Sequence, residues 1–324
     1  ISNKKVDMYN LGLAHGIPAL IMFFSKLKEQ KISHPLLDIL LNKSINYILS
    51  TEQNIKTVGS HFCMNIPVDT KINELSRIGW CYGDLGMPLI PKIIHQIWSD
   101  KYKPLPPFFS LLSDTWKEKH PDWQYIYWSE QDMNDFMQSE FPELRSFYDS
   151  LFFDIQRWDA VRFLILYKMG GMYADFDYEC LENMEPLLDN RTCCIALEPE
   201  THCVMYNIPR VLNAALLACT PENFYLEKVI KRVFSEKTMQ QDRSDKPMSI
   251  LHTTGPLMLS DIYENLSIGE KASVCLIPAK YVTPFDCAQI AQVKAGMEND
   301  ELENCLQEAY AIHYFTNSWV SEVK

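Results

Sequence analysis

From Phe152 to Met169 the sequence FFDIQRWDAVRFLILYKM has the 3.6-residue apolar spacing of a helix, and Gly170 and Gly171 stop it. The next residues, MYADFDYE, read as a strand in which Asp175, Asp177 and Glu179 recur at every second position and so share one face. This feature constrains the chain more than any other. A two-residue turn sets the end of a helix beside the start of a strand, which belongs to layered α/β architecture. Three carboxylates on one strand face also require a counter-charge.

The flanking sequence extends the pattern. IIHQIW after MPLIPK is a β-branched apolar run suited to a buried strand, and KPLPPFF is a proline-rich loop. DWQYIYWSE is expected to be a second strand, ending at Ser129 as the cap of a helix over QDMNDFMQSEF. CCIALEPE is expected to be a strand, VLNAALLA and ENFYLEKVIKRVF helices, HTTGPLMLSDIYEN the opening of another helix, and VCLIPAKYV a strand. Strands alternating with helices predict an α/β fold with a mainly parallel sheet and flanking helices. The first 87 residues differ, with helical apolar spacing through LGLAHGIPALIMFFSKL and HPLLDILLNKSINYIL. The expected organisation is therefore a helical segment at 1–87 and an α/β domain at 88–324.

A formal net charge of -12 without a Lys/Arg cluster argues against a nucleic-acid partner, which needs a basic footprint. The ten cysteines are irregularly spaced and no secretory leader pattern opens the sequence, so reduced thiols and a cytoplasmic location are expected. The longest early apolar run, GIPALIMFF, is too short to span a bilayer, which leaves peripheral membrane contact as the expected limit.

In open α/β sheets ligands bind beyond the carboxyl ends of strands, where Asp175 and Asp177 are expected. Mg2+ and Mn2+ prefer oxygen ligands, and Mg2+ is usually held by one or two carboxylates together with substrate phosphates. A lone D-x-D is common by chance. Here Asp159 and Arg162 precede it, three apart and hence on one helix face, and the combination is much rarer than its parts.

The string DAVRFLILYKMGGMYADFDYE resembles the D-x-x-R…L-Y-x-x-G-G-x-Y-x-D-x-D signature of the DXD sugar transferases, glycosyltransferase family 32. IPKIIHQIW, PDWQYIYWSEQD, HTTGP and IHYFTNSW resemble further blocks of that family in the same order. The resemblance implies a GT-A fold, a nucleotide-sugar donor and a divalent cation, Mn2+ or Mg2+. It implies that Asp177 binds the metal, with Asp175 reaching donor sugar and metal. Asp159 and Arg162 would hold sugar hydroxyls and diphosphate, and Trp98 would stack on the base. Ser318 and Trp319 would belong to a segment closing over the diphosphate, with His313 a further metal or phosphate contact. The implied reaction is retaining transfer, from a UDP-sugar by preference or a GDP-sugar, to a glycan, lipid or other hydroxyl acceptor. Asp175, Asp177 and Arg162 are the expected catalytic group, and Glu179 is expected to be a bystander.

The leader carries a second resemblance. GLAHGIPALI and SRIGWCYGDLG are similar to lanthionine synthetase C-like cyclases, in which His15 and Cys81 would serve a zinc site. A catalytic zinc needs three protein ligands, and the later Cys-His-Gly of that family is absent. Besides the transferase, two readings stay open: a zinc cyclase or its remnant, and a non-catalytic sugar-binding or peptide-binding module.

Overall fold

The computed structural model of the chain describes residues 8–10, 17–31, 34, 36–50, 65–67 and 90–316. The chain divides into two compact units, Ile1–Pro88 and Leu89–Lys324. In the first, strands β1 (Met8–Asn10) and β2 (Asn65–Pro67) form an antiparallel pair. Helices Ile17–Glu29 and Leu37–Ser50 pack on each other, with an ion pair of 2.6 Å between Lys28 Nζ and Asp38 Oδ1.

The second unit is built on six strands: β3 (Ile93–Ile97), β4 (Gln124–Trp128), β5 (Gly171–Ala174), β7 (Cys193–Leu197), β8 (Leu212–Cys219) and β9 (Cys275–Ile277). Their spatial order is β4-β3-β5-β8-β7-β9. β3 runs parallel to β4 and β5, and β7 parallel to β9, while β8 is antiparallel to both its neighbours. Five strands thus point one way and one points back, which is the expected mainly parallel α/β sheet.

Period-two alternation gives each sheet face its own core. Tyr173, Ile195 and Leu217 join one apolar cluster with the helix Asp154–Met169 and with Tyr225 and Val229 of the helix Phe224–Val233. Met172, Ala174, Cys194, Leu216 and Ala218 join another with Trp116 of the helix Pro107–Lys119. The Asp154–Met169 helix is buried continuously from Asp159 to Leu166, so its polar residues there are shielded from bulk water. Ser129 caps the helix Glu130–Glu140, accepting from the Asp132 backbone N–H, while the Asp132 carboxylate accepts from Ser129 N–H.

The turn at Gly170 and Gly171 is fixed sterically. Both have positive φ, 66° and 98°. A Cβ on Gly170 would sit 2.6 Å from Pro221 Cδ, and one on Gly171 would sit 2.7 Å from the Ile93 carbonyl oxygen. His95 ties this turn to the sheet: its Nε2 lies 2.9 Å from the Gly170 carbonyl oxygen, and Trp128 Nε1 donates to its Nδ1 at 3.2 Å. Burial lowers the His95 pKa to about 4, so the ring is a neutral structural link.

Two sequence expectations are corrected, and VCLIPAKYV is a strand only at Cys275–Ile277, with Ala279–Val282 a short helix. VLNAALLA is not a helix but most of β8, all eight of whose residues are buried. Ala and Leu favour helices locally, yet a strand sandwiched between two others and covered on both faces is selected by burial rather than propensity. MYADFDYE is not one strand either. β5 ends at Ala174, Asp175 to Tyr178 form a turn closed by the Tyr178 N–H bond to the Asp175 carbonyl at 3.1 Å, and β6 (Tyr178–Cys180) pairs antiparallel with β10 (Ala311–His313). The three carboxylates therefore do not share a strand face.

Candidate active site

The sheet topology assembles the site. Carboxyl ends of parallel strands open on one edge, and the amino end of antiparallel β8 opens there too. Trp98 follows β3, Asp175 follows β5, Glu198 follows β7 and Asn213 lies at the start of β8. All four line one cavity of 640 Å³.

Asp175 is anchored by its backbone N–H, which donates to the Ala215 carbonyl at 2.8 Å. Its carboxylate accepts from the Tyr173 hydroxyl and from Arg162 Nη1 at 3.4 Å. Arg162, buried on the Asp154–Met169 helix, is ion-paired with Asp159, donates to the Ala214 carbonyl at 2.7 Å and lies 4.9 Å over the Tyr173 ring. Its Nε is buried with no hydrogen-bond partner among the described residues. Asp159 is held in turn by Thr254 Oγ1 at 2.7 Å. The HTTGP stretch thus serves the site by orienting Asp159.

The β6–β10 ladder brings in the other half. His313 pairs with Tyr178 in register, and the two rings stack at 4.4 Å with 1° between their planes. His313 Nε2 lies 3.2 Å from Asp177 Oδ1, while Asp177 Oδ2 accepts from the Thr316 backbone N–H and hydroxyl, both at 2.9 Å. Asn213 Nδ2 donates to the Tyr178 hydroxyl at 3.1 Å. One ligand atom from each of Asp175, Asp177 and His313 lies within 4.8 Å of the others.

The electrostatics divide the two aspartates. Burial raises the Asp175 pKa, and Arg162 only partly opposes it. Burial acts on Asp177 in the same direction, but His313 and the two Thr316 donors outweigh it and hold that carboxyl well below its usual range. For His313, burial favours the neutral ring and Asp177 more than offsets this, so its pKa is raised. The two carboxylates at this edge are oxygen donors of the kind that Mn2+ or Mg2+ takes, and a cation would offset the charge that burial makes costly at Asp175.

Trp98 lies at the cavity wall, with its ring edge-on to Phe109 and Phe176 at 5.5 and 6.2 Å and its Nε1 donating to the Lys103 carbonyl at 3.1 Å. Glu179 accepts from the Tyr314 hydroxyl at 2.5 Å and is not among the cavity residues. Ser318, Trp319, His15 and Cys81 lie outside the described residues. Sequence reasoning missed Thr316, Tyr173 and Asn213. Their roles depend on the β6–β10 and β5–β8 pairings, and only the proximity of Thr316 to His313 could have flagged one of them.

Residues 106–193 match the family described as the glycosyltransferase sugar-binding region containing DXD motif. Residues 1–120 match the lanthionine synthetase C-like protein family. Over 196 residues the chain is 29% identical to inositol phosphoceramide mannosyltransferase 1 of Schizosaccharomyces pombe, covering 60% of this chain and 57% of that protein. Over 198 residues it is 32% identical to mannosyl phosphorylinositol ceramide synthase CSH1 of Saccharomyces cerevisiae, covering 60% of this chain and 48% of that protein. The chain thus spans about half the length of these curated relatives. Among solved structures it aligns with the PaToxG glycosyltransferase at 16% identity and a TM-score of 0.41, over 68% of this chain and 89% of that one. Among the described residues no helix is long and apolar enough to cross a membrane.

Proposed function

We propose that the DXD unit transfers a hexosyl group from a nucleoside diphosphate sugar to a hydroxyl of a glycan or lipid-linked acceptor, with retention and with the help of a divalent cation. The observation that carries this reading is the convergence of Asp175, Asp177 and His313, with Arg162 beside them, on one cavity at the carboxyl edge of the sheet. Asp175, Asp177 and His313 would hold the cation. When bound, it would supply Lewis-acid stabilisation of the charge that develops on the departing diphosphate. Arg162 faces the same cavity as a fixed cation, and its partnerless Nε is a buried donor suited to an anionic or hydroxyl oxygen. Asp159 and Thr254 keep the guanidinium in place, and the apolar wall at Trp98 and Phe176 excludes water from one side of the cavity.

The relatives' names make a mannosyl donor and an inositol phosphoceramide type of lipid acceptor the first to test, alongside the UDP-hexoses that the sequence resemblance favoured. The test is a panel of GDP- and UDP-sugars with Mn2+ or Mg2+, scored by nucleoside diphosphate release with and without a phosphoinositol lipid. Release from one donor, abolished by a chelator, supports the reading, and no release from any donor would overturn it.

For residues 1–87 the proposal is a cyclase-like helical segment without an intact zinc site, since only His15 and Cys81 of such a site are present. Stoichiometric zinc, lost in Cys81→Ala, would instead favour a working cyclase.

A further inference from the structure

A second constellation lies in the wall of the same cavity. Glu198 follows β7, His202 lies on the helix Glu200–Tyr206, and Cys287 opens the helix Cys287–Lys294. Cys287 Sγ is 3.5 Å from His202 Nε2, and His202 Nδ1 is 2.5 Å from Glu198 Oε2. His202 is 5% exposed and the Glu198 side chain 10%, whereas Cys287 is exposed. All three line the cavity. A nucleophile, a base at its side and a carboxylate orienting the base is the order in which thiols are activated, and neither the cation-binding set nor the diphosphate contacts use these residues.

We propose that Cys287 is an activated thiol, a site of covalent modification by peroxides and other soft electrophiles in the wall of the sugar cavity. The Cys287 proton passes to His202 Nε2, and Glu198 stabilises the resulting imidazolium through its Nδ1–H. The thiolate then attacks one peroxide oxygen: the S–O bond forms, the O–O bond breaks, and the departing oxygen takes the proton from His202 to leave as water or an alcohol. Cys287 becomes a sulfenic acid and the peroxide is reduced.

Groups facing the thiol support this order of events. Hydrogen bonds that the His202 ring donates to Cys287 and Glu198 push its pKa up to about 10 against the opposing effect of burial. Tyr206, on the same helix as His202, interacts with Glu198 and Cys287, His313 and Tyr178 interact with Glu198 from the neighbouring ladder, and Asp286 lies beside Cys287. Asp286 already caps the Cys287–Lys294 helix by accepting from Ala288 and Gln289 N–H, so the counter-charge available to the thiolate is His202 rather than the helix end. One ring separates this cluster from the cation-binding set: Phe315 lies 5.2 Å from His202 and 4.1 Å from His313. An adduct on Cys287 therefore adds bulk to the space beside Asp177 and His313.

The geometry rests on no assumption about sugar transfer, and its test is read without a donor. The full chain is treated at pH 7 with substoichiometric iodoacetamide, and labelled peptides are quantified over time by mass spectrometry. Cys287 is expected to label at least about tenfold faster than the partly buried Cys203 and Cys305, and to lose about tenfold of that rate in His202→Asn. Glu198→Gln keeps the shape of the carboxylate and is expected to give a smaller loss, which guards against misfolding of the histidine variant. Hydrogen peroxide followed by a sulfenic-acid-trapping 1,3-dione is expected to mark Cys287. Labelling of Cys287 at the rate of Cys203 and Cys305, rates unchanged in both variants, or a trapped adduct only at other cysteines would each overturn the proposal.

Discussion

At the scale of single residues the two aspartates of the D-x-D have different neighbours and should fail differently. Asp177 is held by His313 and by two Thr316 donors, so Asp177→Asn keeps the shape and part of the hydrogen bonding while removing the charge. Turnover of the responsive nucleotide sugar should fall by about two to three orders of magnitude, with far-ultraviolet circular dichroism unchanged. Unchanged turnover would remove Asp177 from the mechanism. Arg162 is a different case. It is buried between Asp159 and Asp175, and Arg162→Met would leave two carboxylates without their cation. Breaking a buried pair in this way should cost about 3–5 kcal/mol of stability in urea unfolding, beyond any loss of activity. These pairings were partly legible in sequence: Asp159 and Arg162 sit three apart on a helix, and the D-x-D follows a glycine stop. What could not be read was the turn after Ala174. It separates Glu179 from the aspartates and leaves it with Tyr314, because a strand's end is set by its tertiary partners and not by its own alternation.

Among the elements, the Gly170–Gly171 joint makes the sharpest demand. Gly170→Ala puts a Cβ against Pro221, Pro91 and the Cys219 carbonyl at positive φ, so destabilisation by about 3 kcal/mol is expected from strain and overpacking together. Gly269→Ala, on the exposed helix Ile268–Ala272 with nothing within 4 Å of its Cβ, should be neutral or slightly stabilising in the same urea titration. The histidine that fastens this joint gives a pH dependence. His95 is neutral when folded and its pKa is depressed to about 4, whereas the unfolded chain takes up a proton near 6.5. Stability from this group is therefore complete above 6.5 and is lost as pH falls toward 4. Between pH 7 and 5 it should amount to about 2 kcal/mol, measured as the part of the pH dependence absent from His95→Gln. Element types were legible where pattern and punctuation agreed, as in the Asp154–Met169 helix, β3, β4 and the Ser129 cap. β8 was misread because alanine and leucine carry no mark of a strand when both faces are buried.

At the scale of the whole molecule, the site belongs to no single segment. Trp98, Asp159, Asp175, Asn213 and His313 come from five stretches of sequence, and only the strand order β4-β3-β5-β8-β7-β9 with one reversed strand gathers their ends at one edge. The sequence supplied the mainly parallel α/β architecture through its alternation of elements. It could not supply the contribution of β8, whose reversal brings Asn213 to that edge. A site assembled this way exists only in the folded chain, so whatever binds it must stabilise the fold by mass action. Mn2+ together with the nucleoside diphosphate of the responsive donor, at a hundredfold excess over its dissociation constant, should add about 2.7 kcal/mol. For a unit of this size that is a rise of roughly 5–10 °C in the thermal midpoint. The rise should be larger for cation and nucleotide together than for the sum of each alone, since a bound cation would offset the repulsion between the diphosphate and the carboxylates of Asp175 and Asp177. It should vanish in Asp177→Asn. Equal shifts in the wild type and this variant would mean that the ligand binds elsewhere on the chain.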